Sequence, residues 1–129
     1  MGPENREPAI RVIMMPKDTN ALGTIFGGII LSYIDQAGAV EGHRHVRGNL
    51  VTVAMREVEF HGPVFVGDLV SFYTETVRVG RTSITVRVTV EAERPLAEVA
   101  SRTKVTEAEV VYVHVDENRQ PKPIRPEPA

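Results

Sequence analysis

Two patterns of hydrophobic and polar residues divide the chain. Residues 27–40 carry apolar or small side chains at nearly every position, which predicts a helix that is buried on nearly all of its sides. Thr24 is a candidate N-cap for this helix, and the glycine-bounded segment 42–48 predicts its end. From residue 50 onward, apolar and polar side chains alternate with the period of two that indicates strands, most regularly over residues 83–93.

The alternating part of the chain predicts four strands that follow one another as a meander. The strands cover residues 50–61, 69–79, 83–93 and 99–115, and turn residues separate them at Gly62-Pro63, Gly67-Asp68, Gly80-Arg81 and Arg94-Pro95. A slip in the alternation near residues 107–110 predicts a bulge in the last strand. A short apolar run over residues 9–15 predicts a further strand, at a sheet edge, before the helix.

This order of elements predicts an α+β fold with one long central helix and an antiparallel sheet of five to six strands. Strands of ten or more residues are longer than usual and favour a strongly curved sheet. Such a sheet wraps around the helix, and its convex face must then stay polar or contact another copy of the chain. This is the hotdog fold, and it predicts an oligomer.

Composition narrows the classes of function. The chain of 129 residues is long enough for one domain, which we assign to residues 9–115, between a flexible arm over 1–8 and a proline-rich, extended or disordered tail over 116–129. A net charge of −2 gives no reason to expect nucleic acid or an anionic membrane as a partner. The absence of a signal region and of a membrane-length apolar run predicts a cytoplasmic protein. Because the chain has no cysteine, a thiolate metal site and a cysteine nucleophile are excluded.

One acid interrupts the apolar helix. Asp35 follows two apolar turns and precedes small residues. A buried, ionised carboxylate without partners is so costly that it shifts its pKa and becomes neutral instead. A buried helix therefore carries such a residue as a cap, as part of an ion pair or for catalysis, and the pattern alone leaves these alternatives open.

The segment over residues 16–28, PKDTNALGTIFGG, together with Ile34-Asp35, resembles the entry motif of hotdog-fold acyl-CoA thioesterases of the YciA and cytosolic acyl-CoA hydrolase type. Further similar segments follow in order, at residues 51–53, 62–68, 80–83 and 104–116, so that the resemblance covers residues 9–123. It implies hydrolysis of acyl-CoA to a free fatty acid and coenzyme A, without a metal or other cofactor. It also implies a dimer whose active sites are completed by both chains, commonly assembled further into a hexamer.

The resemblance gives roles to the helix and to the loop before it. Gly27 and Gly28 would place unpaired N–H groups of the helix start at the thioester oxygen, and one such donor typically contributes about 3–4 kcal/mol to lowering the barrier. Asp35 would activate water as a general base or attack the carbonyl carbon itself, and the sequence does not separate the two. Asn20 and Thr24 are suited to orienting the water or the carbonyl.

Coenzyme A brings phosphates, so basic and hydroxyl groups are expected at the mouth of the pocket. The turn Gly80-Arg81-Thr82-Ser83 corresponds to a segment that contacts coenzyme A in the family, although such a turn is also an ordinary hairpin with a solvated arginine. Second-rank candidates are three further cations, Arg56, Arg102 and Lys104. The plainer interpretation of Arg56 and Lys104 is surface or interface charge.

Other functions fit the same fold. A non-catalytic acyl-CoA sensor or carrier would bind coenzyme A esters without hydrolysing them. A hotdog dehydratase is disfavoured because its histidine-centred motif is missing. The sequence has no GxSxG nucleophile elbow, and His43 and His45 lack further ligands at the spacing of a metal site.

Overall fold

A computed structural model describes residues 6–99 and 101–125 of the chain. Within them, one α-helix and five strands are present, with a short 3-10 turn at Pro16–Asp18. In chain order the elements are β1 (Ile10–Ile13), α1 (Gly27–Gly42), β2 (Asn49–Phe60), β3 (Leu69–Val79), β4 (Ser83–Glu93) and β5 (Arg102–Val115). The predicted α+β arrangement is thus confirmed, with five strands in one antiparallel sheet. No helix in the described residues is both long and apolar enough to cross a membrane.

The order of the strands in the sheet is β1-β3-β4-β5-β2. The predicted meander is therefore correct for β3, β4 and β5 but wrong for β2, which pairs with β5 at the far edge of the sheet. A hairpin requires a short turn, whereas residues 61–68 form an eight-residue connection that contains Pro63 and a left-handed Gly67 with φ +90°. This connection is long enough to pass from one edge region of the sheet to the other.

The core lies between the helix and one face of the sheet. Every second residue of β4 is fully buried, namely Ile84, Val86, Val88 and Val90. These side chains belong to the same apolar cluster as Ile30, Ile34 and Ala37 of α1. The period-two pattern of the sequence thus identifies the helix-facing side of the sheet correctly.

The helix is buried on one side only, which corrects the prediction of a helix buried nearly all around. Residues 28, 32, 36 and 40 are exposed, while Ile34 is fully buried. The physical reason is that a single curved sheet covers only the helix face that it contacts. Asp35 lies at the border of the two sides and is half-buried.

The start of the helix also differs from the prediction. The N-cap is Phe26, which makes no side-chain capping bond, so the assignment of Thr24 as the cap is wrong. The N–H of Phe26 instead donates to the carbonyl oxygen of Asp18 at 2.8 Å. The chain is therefore held at the helix entrance by a backbone bond to the preceding 3-10 turn.

The bulge predicted at residues 107–110 is wrong as well. Buried and half-buried residues alternate regularly there, and the irregularity of β5 lies at Val105, where Lys104 and Thr106 pair with consecutive residues of β4. The sequence pattern misleads because Val111 and Val113 lie on the outer face, where they are half-buried. Because β5 thus carries apolar residues on both faces of the sheet, its sequence resembles a strand whose alternation slips by one residue.

The segment over 116–125 folds back onto the sheet, which differs from the predicted extended or disordered tail. The N–H of Lys122 donates to the carbonyl of His114, and the N–H of Ile124 donates to the carbonyl of Arg81, both at 2.9 Å. Residues 126–129, and residues 1–5 of the predicted arm, lie outside the described residues. The domain bounds 9–115 stay a prediction.

Candidate active site

Asp35 lies in the third turn of α1 and reaches toward the edge strand β2. Its carboxylate oxygen Oδ1 accepts a hydrogen bond of 2.6 Å from the hydroxyl of Thr52. Thr52 is exposed and Asp35 is half-buried, so the pair lies at the surface of the single chain. Solvent or a ligand can therefore approach this carboxylate while one of its oxygens is held.

A second hydroxyl contacts the main chain of the same residue. Tyr112 of β5 donates a hydrogen bond of 2.6 Å to the carbonyl oxygen of Asp35. Burial, followed by the charge of Asp35, raises the pKa of Tyr112. The phenol therefore stays protonated at neutral pH and remains a donor.

Sequence reasoning missed Thr52 and Tyr112. Thr52 lies in a segment that contributes to the family resemblance, but no role was assigned to it. The two residues are separated from Asp35 by 17 and 77 positions, and only the pairing of β2 with β5 places them next to each other. The alternation of β5 does identify Tyr112 as helix-facing, which is the one signal that was available.

The first turn of α1 is flanked by two aromatic rings. Gly27 and Gly28 open the helix, and Phe26 and Phe60 remain 56% and 54% exposed beside them. A Cβ at Gly27 would meet the Phe60 ring at 3.7 Å, and one at Gly28 would meet the Phe26 ring at 2.8 Å. The N–H groups of a first helical turn have no partner within the helix, so this surface combines backbone donors with apolar walls.

Asn20 organises the loop that leads to the helix. Its side-chain oxygen accepts from the N–H groups of Leu22 and Thr24, at 2.8 and 3.2 Å, and its amide nitrogen donates to the hydroxyl of Thr24 at 2.9 Å. The structure thus joins the two predicted residues, but in contacts that shape the loop. Their role in orienting water or the carbonyl stays a prediction.

The turn at residues 80–83 connects β3 to β4 near the Asp35 end of the sheet. Ile84 of β4, Tyr112 of β5 and Thr52 of β2 lie side by side and form one row across the sheet, and Asp35 contacts this row. Ser83, the last residue of the turn, lies one position beyond the row. The turn is closed by a bond from the N–H of Gly80 to the carbonyl of Ser83 at 2.7 Å. Arg81 is exposed there, while Thr82 is half-buried.

The other predicted cations lie elsewhere in the chain. Arg102 pairs in register with Glu93, ten residues along β4 from Ser83, which corresponds to about 33 Å of strand. It also forms ion pairs with Glu93 and Glu91 at 3.2 and 3.7 Å. One chain therefore does not bring Arg102 together with the turn at residues 80–83.

Lys104 and Arg56 likewise have acidic neighbours. The hydrogen bond from Lys104 lowers the pKa of Glu107, and Arg56 faces Glu109 across β2 and β5. Both cations are exposed. Their contribution to coenzyme A binding stays a prediction.

A cluster of Glu59, His61 and Glu107 is the one group in residues 6–99 and 101–125 whose side chains lie close enough to share a metal ion. Nε2 of His61 lies 3.5 Å from Glu59 and 3.9 Å from Glu107. Glu59 and His61 are exposed, and the ammonium of Lys104 already forms an ion pair with the carboxylate of Glu107. We interpret the cluster as surface ion pairs, and the expected absence of a metal stays a prediction.

A cavity of about 290 Å³ lies at the other end of the sheet, and Phe65, Asp68 and Arg94 are among its lining residues. Asp68 is only 2% exposed, accepts from the N–H of Phe65 at 2.9 Å and pairs with Arg94 at 3.2 Å. Each oxygen of the Asp68 carboxylate thus has a partner within the chain, as expected for an acid with a structural role. Asp35 does not line this cavity.

Comparison with known proteins gives consistent matches. Residues 22–98 match the family described as the Thioesterase superfamily. The chain is 40% identical to the acyl-CoA thioester hydrolase YciA of Salmonella typhimurium over 119 residues. This aligned region covers 92% of this chain and 90% of that protein. A hexameric hotdog-fold thioesterase of Campylobacter jejuni is 44% identical with a TM-score of 0.88, covering 93% of this chain and 91% of that one. A hexameric thioesterase of Yersinia pestis is 36% identical with a TM-score of 0.87, and the match covers 95% of this chain and 98% of that one.

These matches agree with the strand order and the single packed helix, and they confirm the predicted hotdog fold. The family match extends from the loop before α1 to the connection between β4 and β5, so it includes the helix start, Asp35 and Thr52. The chain is a member of the thioesterase superfamily.

Proposed function

We propose that this protein hydrolyses acyl-CoA to a free fatty acid and coenzyme A, and that Asp35 carries the reaction. The observation on which the proposal depends is the half-buried Asp35 carboxylate, whose Oδ1 is held by the Thr52 hydroxyl at 2.6 Å. This bond engages one oxygen, so Oδ2 is the oxygen that we assign to the reaction. Relatives at about 40% identity that are named acyl-CoA thioester hydrolases support the substrate class.

The chemistry requires one bond to form and one to break at the thioester carbon. In the general-base route, Oδ2 takes a proton from water, the water oxygen bonds to the carbonyl carbon, and the C–S bond breaks to release the coenzyme A thiol. In the nucleophilic route, Oδ2 bonds to the carbon and displaces the thiolate, and water then hydrolyses the resulting anhydride. Both routes give the same products, and both gain from donors placed at the carbonyl oxygen.

The distance along the helix supports the proposal that two chains share each active site. Gly28 and Asp35 are seven residues apart, which is about 10 Å along the helix axis. A thioester carbonyl whose oxygen contacts the N–H groups of one helix start therefore lies too far from Asp35 of the same helix, because the attacking atom must come within about 3 Å of the carbon. We assign the carbonyl to the helix start of one chain and the attack to Asp35 of its partner.

The edge strand β2 provides a surface for such a partner. Among the residues that the structure describes, the twelve-residue strand β2 pairs only with β5, and it carries both Thr52 and the 56% exposed Val53. A long unpaired edge is a template for pairing with a second copy of the same strand. We propose a dimer as the minimal active unit and a hexamer as the assembly, since relatives of the same fold are described as hexameric. Mass measurement by light scattering tests the assembly.

Coenzyme A phosphates would bind near the exposed Arg81 at the turn between β3 and β4. This turn lies at the same end of the sheet as Thr52 and Tyr112. An arginine followed by two hydroxyl residues supplies charged and neutral donors for phosphate oxygens. Replacing Arg81 should therefore raise KM for acyl-CoA more than it lowers kcat.

The experiment that tests the activity follows thiol release with DTNB over a panel of acyl-CoA chain lengths. The Asp35→Asn variant should lose at least about a hundredfold in kcat, the lower range for a positioned acid or base. Glu75→Gln, an exposed strand carboxylate outside the site, serves as the matched control and should keep wild-type rates. Near-normal turnover by Asp35→Asn would remove Asp35 from the mechanism. Saturable acyl-CoA binding by the wild type without catalytic thiol release would instead indicate a sensor or carrier.

A further inference from the structure

Asp35 is held at two points by hydroxyls from two neighbouring strands. Thr52 of β2 holds the carboxylate, and Tyr112 of β5 holds the main-chain carbonyl of the same residue. We propose that Tyr112, together with Gly38, is a positioning pair that sets the rotation of α1 at Asp35 and thereby the place of the reacting carboxylate. This proposal rests on the proposed function, because it assigns the purpose of the contact to the thioester reaction.

The two hydroxyl groups originate from one position in the sheet. Thr52 and Tyr112 are directly opposite each other in the β2–β5 pairing, so their side chains leave the same face of the sheet side by side. Each then forms a bond of 2.6 Å to Asp35, one to the side chain and one to the backbone. A shift of α1 along or around its axis would break both bonds together.

Gly38 makes the contact with Tyr112 possible. It lies one turn after Asp35 on the buried side of α1. A Cβ at this position would lie 3.0 Å from Cζ of Tyr112 and nearer still to the hydroxyl oxygen, so every other residue type would push the ring away. A glycine inside a helix destabilises it by about 1 kcal/mol relative to alanine, which indicates that close approach is what the position provides.

The bond is not needed to satisfy the helix. The carbonyl of a residue in mid-helix already accepts the bond of the i+4 N–H, so the bond from Tyr112 is an additional one. A phenylalanine would fill nearly the same volume without a polar atom that needs a partner in the core. The combination of a buried phenol and a helix glycine therefore fixes geometry, and a displacement of about 1 Å at a reacting group is enough for a loss of up to about a hundredfold.

The first test is Tyr112→Phe, which removes the hydroxyl and keeps the ring. We expect kcat to fall about tenfold while KM changes less than twofold, since the substrate contacts remain and only the reacting carboxylate moves. Tyr73→Phe is the matched control, because Tyr73 is also buried on a strand and also has a hydroxyl partner, Arg11. It should leave kcat unchanged at a temperature well below the melting temperature of each variant.

The second test is a double-mutant cycle with Thr52→Val. If both hydroxyls position one carboxylate, the double variant loses clearly less than the product of the two single losses, because the second change removes a constraint that is already broken. A general loss of stability would instead give independent effects on kcat. Multiplicative losses would therefore overturn the positioning role of Tyr112.

The third test uses the predicted steric conflict. Gly38→Ala should lower both the melting temperature and kcat. Adding Tyr112→Phe removes the hydroxyl but keeps Cζ 3.0 Å from the new Cβ, so it should restore part of the melting temperature, while kcat does not rise above the level of Tyr112→Phe alone. A Gly38→Ala variant that is as stable as the wild type would contradict the contact.

The outcomes separate this inference from the proposed function. If the wild type releases no thiol from any acyl-CoA, the proposed function fails and the positioning role fails with it, whereas the melting temperatures of the Gly38 and Tyr112 variants still report on the contact. If the wild type is active and Tyr112→Phe keeps its full kcat, the function stands and the positioning role is wrong.

Discussion

The most direct consequence of the site geometry concerns the hydroxyl of Thr52. Thr52→Val replaces the hydroxyl with a methyl group of similar size and removes the 2.6 Å bond to Oδ1 of Asp35. A hydrogen bond to a charged group contributes about 1.5–3 kcal/mol, and the exposed position of Thr52 favours the lower value. Since about 1.4 kcal/mol corresponds to a factor of ten, kcat should fall about tenfold.

The measurement is steady-state thiol release with a saturating acyl-CoA, accompanied by the melting temperature of each variant. Thr52→Ser keeps the hydroxyl and should retain most of the activity. Thr103→Val is the matched control on β5, because Thr103 is exposed like Thr52 but lies far from the site. It pairs with Ala92, which is eight residues along β4 from Ile84, the partner of Tyr112. It should leave kcat and KM unchanged.

The reasoning is refuted if Thr52→Val keeps kcat within twofold of the wild type. It is also refuted if Thr103→Val loses as much as Thr52→Val, since the loss would then reflect the change from threonine to valine in a strand. A rise in KM with unchanged kcat would assign Thr52 to substrate binding instead of carboxylate orientation.

Three further outcomes follow from the structure. Single turnover in ¹⁸O-labelled water should leave the Asp35 carboxylate unlabelled if Asp35 acts as a base. Label in Asp35, which arises when water opens the anhydride at the Asp35 carbon, would establish nucleophilic attack, and mass spectrometry of the protein and the fatty acid measures both. Glu57 in a β2 bulge has a left-handed φ of 55°, so Glu57→Gly should leave the free energy of unfolding unchanged or raise it by at most about 1 kcal/mol. Glu75→Gly in β3 should lower it by about 1 kcal/mol, and urea titrations measure both. Because the pKa of Tyr112 is raised in the folded protein, its contribution to stability is complete below the ordinary pKa of about 10 and is lost as the pH rises further. Above pH 10 the free energy of unfolding of the wild type should therefore fall toward that of Tyr112→Phe, by at most about 1.4 kcal/mol per pH unit. Urea titrations of both proteins across this pH range measure the difference between their free energies of unfolding.

Particular elements explain how far the sequence alone reaches. The bounds of β3 and β4 are as predicted, because their alternation is regular and glycines or charged turn residues flank them. Asp35 stands out in the sequence because a charge in an apolar helix is a local anomaly, and the family resemblance adds its reactive role, which stays a prediction. The place of β2 was wrong, because the period of a strand contains no information about which neighbour it pairs with. The N-cap was wrong because a backbone bond from Phe26 to Asp18 replaces the expected side-chain cap.

Local chemistry and periodicity therefore determine the helix, the strands and the acid, since each depends on residues that are close in the chain. Only the tertiary structure decides what holds that acid. Thr52 and Tyr112 meet Asp35 because β2 crosses to the far edge and pairs with β5, which joins positions separated by 17 and 77 residues. The tertiary structure also decides that the helix is half exposed, because one sheet covers only one of its faces. The half-exposed helix, and the distance of about 10 Å between its start and Asp35 that the sequence spacing sets, support our proposal of an active site shared by two chains.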